Sequence, residues 1–218
     1  MHGYLSSAKS FYYQTSFFSK DFKVFAPDLV GFGENLEMNK PYSLDDYVNW
    51  VMEYIRANGL VSPCVVAHSF GARIALKAIY RHGDIFDKLV LTGAAGLKPK
   101  CTLKKTLKKA TFRALKVIFP KEKLSGFYSK DYLSLSPIMR ESFIKIVNEH
   151  LDYTLEKINA PTLIVFGDKD RETPLYMAKR LNKGIKNSTL KVYKGAGHFC
   201  FIDKKHTFNT EVREFLLS

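Results

Sequence analysis

Cys64-Val65-Val66-Ala67-His68-Ser69-Phe70-Gly71-Ala72-Arg73-Ile74-Ala75-Leu76-Lys77-Ala78-Ile79 passes from an apolar, β-branched run through a serine flanked by small residues into a helical pattern. That order predicts a strand, a sharp turn and a helix, with Ser69 at the tip. A serine held on such a turn projects its hydroxyl away from the backbone. The positions two before and two after it must be small, because strand and helix approach too closely there for larger side chains. Ala67 and Gly71 occupy them.

Working outward, strand-like and helix-like patterns alternate. Lys23-Val24-Phe25-Ala26-Pro27 reads as a short strand running into the glycine-punctuated loop Asp28-Leu29-Val30-Gly31-Phe32-Gly33. Ser43 caps a predicted helix whose apolar residues Leu44, Tyr47, Val48, Val51, Tyr54 and Ile55 recur at spacings of three and four, with Asp45 and Asp46 in its first turn. Further strands are expected at Lys88–Thr92, Pro161–Phe166 and Thr189–Tyr193, with helices from about Pro174 to Leu181 and near Phe208 to Leu217. The alternation predicts an α/β fold: a mostly parallel, doubly wound sheet with helices on both faces. The strand-poor stretch 97–158 falls between two strands of that sheet and reads as an inserted helical lid, leaving 1–96 and 159–218 as the core.

Among 218 residues, 46% apolar and 14% aromatic content fits a soluble globular protein and excludes a disordered or fibrous one. No apolar run reaches the roughly 18 residues of a membrane span. The N-terminus lacks the charged start, apolar stretch and cleavage site of a signal peptide, so a cytoplasmic location is expected. Three widely spaced cysteines, Cys64, Cys101 and Cys200, suit neither a disulfide framework nor a metal knuckle. Cys64 and Cys200 lie in apolar stretches and are expected in the core.

The formal charge of +13 is unevenly spread: ten lysines and arginines lie between Lys98 and Lys123, against the single acid Glu122. There Leu103, Leu107, Ala110, Ala114 and Ile118 share one helical face, and Lys104, Lys105, Lys108, Lys109 and Lys116 cover much of the rest. Helices lying on anionic membranes show this pattern. The plainer reading is a lid helix packing its leucines on the core with its lysines in water. The run lacks interleaved aromatics and any recognition motif, so no nucleic-acid partner is expected.

The strand-turn-helix around Ser69 resembles the nucleophile elbow of the α/β-hydrolase superfamily, with Ala67 where the commonest form has its first glycine. The resemblance implies Ser69 as nucleophile. A serine hydroxyl needs a general base, and the base needs a carboxylate to hold its tautomer and stabilise the imidazolium. Phe166-Gly167-Asp168-Lys169-Asp170-Arg171-Glu172-Thr173-Pro174 offers three carboxylates directly after a strand, and Asp170 matches the acid of the superfamily's turn. Asp168 is the alternative, and Glu172 is expected to belong to the following helix. Lys194-Gly195-Ala196-Gly197-His198-Phe199 is similar to the superfamily's histidine loop and gives His198 as the base. The chain order Ser69, Asp170, His198 is the one the superfamily uses. His82, His150 and His206 are expected at the surface, and His68 is expected to point away from the nucleophile.

By the same resemblance the oxyanion is bound by backbone N–H groups of Phe70 and of Tyr4, the latter in Met1-His2-Gly3-Tyr4-Leu5-Ser6-Ser7. The loop Asp28 to Asn35 matches the next landmark, with Val30 and Asn35 in place of the usual arginine and serine. Members of the superfamily normally have two or three strands before the oxyanion loop, and here they are absent. The expectation is an N-terminally truncated form of the fold, in which the Val24 and Val65 strands pair directly or the chain is a fragment of a longer one. A serine nucleophile argues against dehalogenase and epoxide hydrolase chemistry. The implied function is that of a serine hydrolase, specifically an esterase acting on a small or acyl-chain carboxylic ester, with no cofactor or metal. A carbon–carbon hydrolase, an aminopeptidase and a truncated binding protein are the alternatives.

Overall fold

The computed structural model describes residues 1–100 and 130–218. Among these, the β-branched runs form a parallel four-stranded sheet in sequence order: β1 (Val65–His68), β2 (Leu89–Thr92), β3 (Thr162–Gly167) and β4 (Ser188–Tyr193). Every residue of β2 and β3 is buried, as befits strands covered on both faces. The period-two alternation sorts their side chains. Leu89, Leu91, Ile164 and Phe166 enter one core, and Val90, Leu163 and Val165 the other.

The first core lies beneath α2 (Leu44–Ala57) and α3 (Phe70–His82), whose residues Leu44, Tyr47, Val48, Ile74 and Ala78 are fully buried. Helix α2 starts where its capping box sets it: Ser43 Oγ accepts from Asp46 N, and Asp46 Oδ2 accepts from Ser43 N. The second core is an aromatic layer in which Phe11, Phe18, Phe201 and Phe208 pack on the other sheet face. It is closed by α1 (Tyr12–Phe18) and, at the C-terminus, the antiparallel-lying helix of Lys205–Leu217. Between β2 and β3 the described residues are helical: α4 (Lys130–Ser134), α5 (Pro137–Asn148) and a 3₁₀ turn at Asp152–Lys157. Then follow α6 (Leu175–Gly184), α7 (Cys200–Asp203) and α8, the Lys205–Leu217 helix. No described helix is long and apolar enough to cross a membrane. Cys101 and the face from Leu103 to Ile118 lie outside the described residues.

Buried Lys77 of α3 ties these layers together, pairing with Asp45 of α2 at 2.7 Å and with Glu149, just beyond α5, at 2.6 Å. Beside it Arg73 donates to the carbonyls of Ile146 at 3.0 Å and Glu149 at 2.8 Å.

The strand expected at 23–27 does not form, and Val24 is exposed. The outer edge of β1 is met by the first residues instead. The Met1 amino group donates to Val66 O at 2.7 Å, His68 N to Met1 O at 3.0 Å and Gly71 N to His2 O at 3.1 Å. Buried His2 extends this stitching: its Nε2 accepts from Leu29 N at 3.0 Å, and Nδ1, which then carries the proton, donates to Gly3 O at 2.8 Å. Hydrogen-bonding groups that a strand at Val24 was expected to satisfy are met by Met1 and His2, so that stretch is left without a ladder. Cys64 is exposed, contrary to expectation, because it stands one residue before β1, where sheet pairing has not begun; Cys200 is buried as expected. Helix α1 was not anticipated. Its footing is tertiary, with Gln14 Nε2 donating to Phe201 O at 2.8 Å and Asn209 Oδ1 at 3.0 Å.

Two outcomes are expected. A Cβ on Gly71 would stand 2.5 Å from Met1 O, so Gly71→Ala should lower unfolding stability by about 2–3 kcal/mol in urea titrations. Burial lowers His2 to about 4 from its ordinary 6.5, and His68 is lowered to about 3. The unfolded chain therefore takes up these protons first. Stability is full above pH 6.5 and should fall by about 2–3 kcal/mol per histidine as pH drops toward 4, with His2→Phe flattening part of the slope in the same titrations.

Candidate active site

Parallel register brings the loops after β1, β2, β3 and β4 to one end of the sheet. Ser69 follows β1 with φ 48° and ψ −103°, a conformation that costs on the order of 1–3 kcal/mol and persists only where its surroundings impose it. They do so here: Ser69 N donates to Thr92 O at 3.1 Å, and its carbonyl accepts from Ala95 N at 3.3 Å. Gly3 lies close enough that a Cβ there would come 3.5 Å from Ser69 Cβ.

Asp170 sits in the turn after β3 with its carboxylate fully buried. Its Oδ1 accepts from Glu172 N at 2.9 Å and Thr173 N at 2.8 Å, an Asx turn that leads into α6. Its Oδ2 accepts from His198 Nδ1 at 2.8 Å and from Thr173 Oγ1 at 2.7 Å. Burial alone would raise this carboxyl; the hydrogen bonds from His198 and Thr173 outweigh it and hold the group below its usual range. With Asp170 accepting, Nδ1 of His198 carries the proton and Nε2 is left free to exchange one.

His198 can reach this position because the backbone gives way to it. Gly93, at φ 50°, would put a Cβ 2.9 Å from His198 O, and a Cβ on Gly167 would fall 2.2 Å from Ala196 O. Asp168 does not meet the histidine. It accepts from Gly195 N at 2.7 Å and so anchors the base of the histidine loop. Glu172, expected in the following helix, instead precedes α6 and sets its Oε2 3.4 Å from His198 Nε2.

Tyr4 lies beside the elbow, its ring 5.5 Å from that of Phe70. Phe70 is the first residue of α3, so its N–H has no acceptor within the helix. Phe32 and Phe143 complete an aromatic wall around Tyr4 at 4.8 and 5.2 Å, and the Tyr4 hydroxyl donates to Met139 O of α5 at 3.0 Å. His82 and His206 are exposed and His150 is half-buried. No cluster of three or more His, Cys, Asp and Glu side chains among the described residues could hold a metal ion.

Two participants were missed from sequence. His68 was expected to point away from Ser69 and was given no role; its ring lies 4.7 Å from that of His198, and its Nε2 donates to His198 O at 3.2 Å. As the last residue of β1, His68 shares the sheet face of Val66, where Phe199 and Phe201 enclose it. Thr173 Oγ1 lies 3.1 Å from Gly93 O and 3.2 Å from His198 Nδ1, besides its bond to Asp170. The pattern Asp-x-x-Thr-Pro, which marks a helix start, was the available signal.

The sequence pattern of the alpha/beta hydrolase fold family matches residues 1–156 and 108–205. AB hydrolase superfamily protein YisY of Bacillus subtilis is 29% identical, over 99% of this chain and 89% of YisY. The 2-hydroxymuconate semialdehyde hydrolase of Pseudomonas putida is 24% identical, over 89% of this chain and 76% of its own. The esterase EaEST of Exiguobacterium antarcticum superposes with a TM-score of 0.81 at 24% identity, covering 100% of this chain and 90% of the esterase. Fold, site geometry and sequence pattern agree that this chain belongs to the alpha/beta hydrolase fold family.

Proposed function

We propose that the chain is a serine hydrolase that cleaves carboxylic esters through an acyl-enzyme. The observation that carries this reading is the 2.8 Å hydrogen bond between buried Asp170 and His198, at the end of the sheet where Ser69 stands on its strained turn. In this reading His198 Nε2 takes the Ser69 proton as Oγ attacks the ester carbonyl, and the tetrahedral oxyanion is held by the N–H groups of Phe70 and Tyr4. Nε2 then protonates the departing alcohol. Water, deprotonated by the same nitrogen, releases the acid and regenerates Ser69.

Asp170 stays ionised throughout, orienting the ring and stabilising the imidazolium. The aromatic wall of Tyr4, Phe32 and Phe143 suits a small or acyl-chain substrate, and the helical residues between β2 and β3 act as its lid. A carbon–carbon hydrolase is the second reading, favoured by the likeness to 2-hydroxymuconate semialdehyde hydrolase.

A fluorophosphonate probe should place its adduct on Ser69, located by peptide mass spectrometry, and on no residue of Ser69→Ala. Ester turnover should fall about 10⁴-fold or more in Ser69→Ala and in His198→Ala, and by about 10²–10⁴-fold in Asp170→Asn. Absence of the adduct on folded protein would overturn the proposal.

A further inference from the structure

We infer that Glu172 makes the leaving-group side of the site selective for cationic over anionic substrates, an inference that rests on Ser69, His198 and Asp170 acting as proposed. The Glu172 carboxylate lies 3.4 Å from His198 Nε2 with its side chain 70% exposed, so it stands at the open side of the histidine. Its backbone is fixed there by the bond from Glu172 N to Asp170 Oδ1 at 2.9 Å. Among the described residues no lysine or arginine is paired with it. Lys169 and Arg171, which precede it in the chain, are exposed and form no ion pair with it.

The placement acts on one half of the substrate. Nε2 delivers its proton to the leaving oxygen, which must come within about 3 Å of that nitrogen. Substituents on the leaving alcohol are thereby carried up to the Glu172 carboxylate, whereas the acyl group is held on Ser69. A positive group there finds a counter-ion, and a negative group meets a like charge while its partner Asp170 is already committed to Nδ1. The substrate class that fits is an ester of a cationic alcohol. The net charge of +13 draws anions from a distance, but that field is screened over about 8–10 Å at moderate salt and is nearly the same in a single variant.

Three esters sharing one acyl group test this: phenyl acetate, 3-(trimethylammonio)phenyl acetate and 3-carboxyphenyl acetate. The ratio of kcat/KM for the cationic over the anionic ester, compared between wild type and variant, cancels their differing intrinsic reactivity. That ratio should fall about tenfold in Glu172→Gln and further in Glu172→Lys, the two opposed charge effects each supplying a few-fold. A ratio within twofold of wild type in both variants overturns the inference while leaving the esterase reading intact. If wild type turns over none of the three, the inference is overturned, and the fluorophosphonate adduct on Ser69 decides whether the serine hydrolase reading falls with it.

Discussion

Backbone meeting backbone at the carboxyl end of the sheet is the constraint on which the site depends. The elbow helix abuts the first residues at Gly71, the histidine loop lies on the end of β2 at Gly93, and it crosses the acid turn at Gly167. Each contact leaves no room for a Cβ. Loops from β1, β2, β3 and β4 can therefore converge at one end of the sheet, where His198 meets Asp170 although 28 residues separate them.

Around that convergence burial keeps His2 and His68 neutral. His2 and His68 are buried without a carboxylate partner, each spending its one proton on a backbone carbonyl. Of these three, His198 has the buried carboxylate, that of Asp170. The contrast separates three histidines of one chain by environment alone: two serve as cross-links to backbone carbonyls, and the third is joined to a buried carboxylate.

The elements that position the site were legible in the sequence where a pattern is local. The runs ending at Val66, Thr92 and Tyr193 read directly as strands, the first of which continues to His68, and the Ser43 cap placed α2 within a residue. Asp170 was separable from Asp168 only by its resemblance to a known turn, and the geometry supplies the reason: Asp168 faces Gly195, on the outside of the loop. What could not be read was set by distant partners. Val24 has the composition of a strand, but the edge it would have joined is met by Met1 and His2. Glu172 belongs in a helix by local preference, and its neighbourhood with His198 arises from a loop 26 residues away.

The Lys77 bridge clasps the C-terminal end of the stretch between β2 and β3 to α3. That end, from Ile146 to Glu149, is bonded to Arg73 and Lys77 on the same helix that Ser69 introduces. Separating it would strip two cations of their acceptors in a largely dehydrated setting. Residues 146–149 are consequently held in register with the helix that Ser69 introduces, so a substitution that loosens this clasp is felt at the elbow as well as at the end of α5.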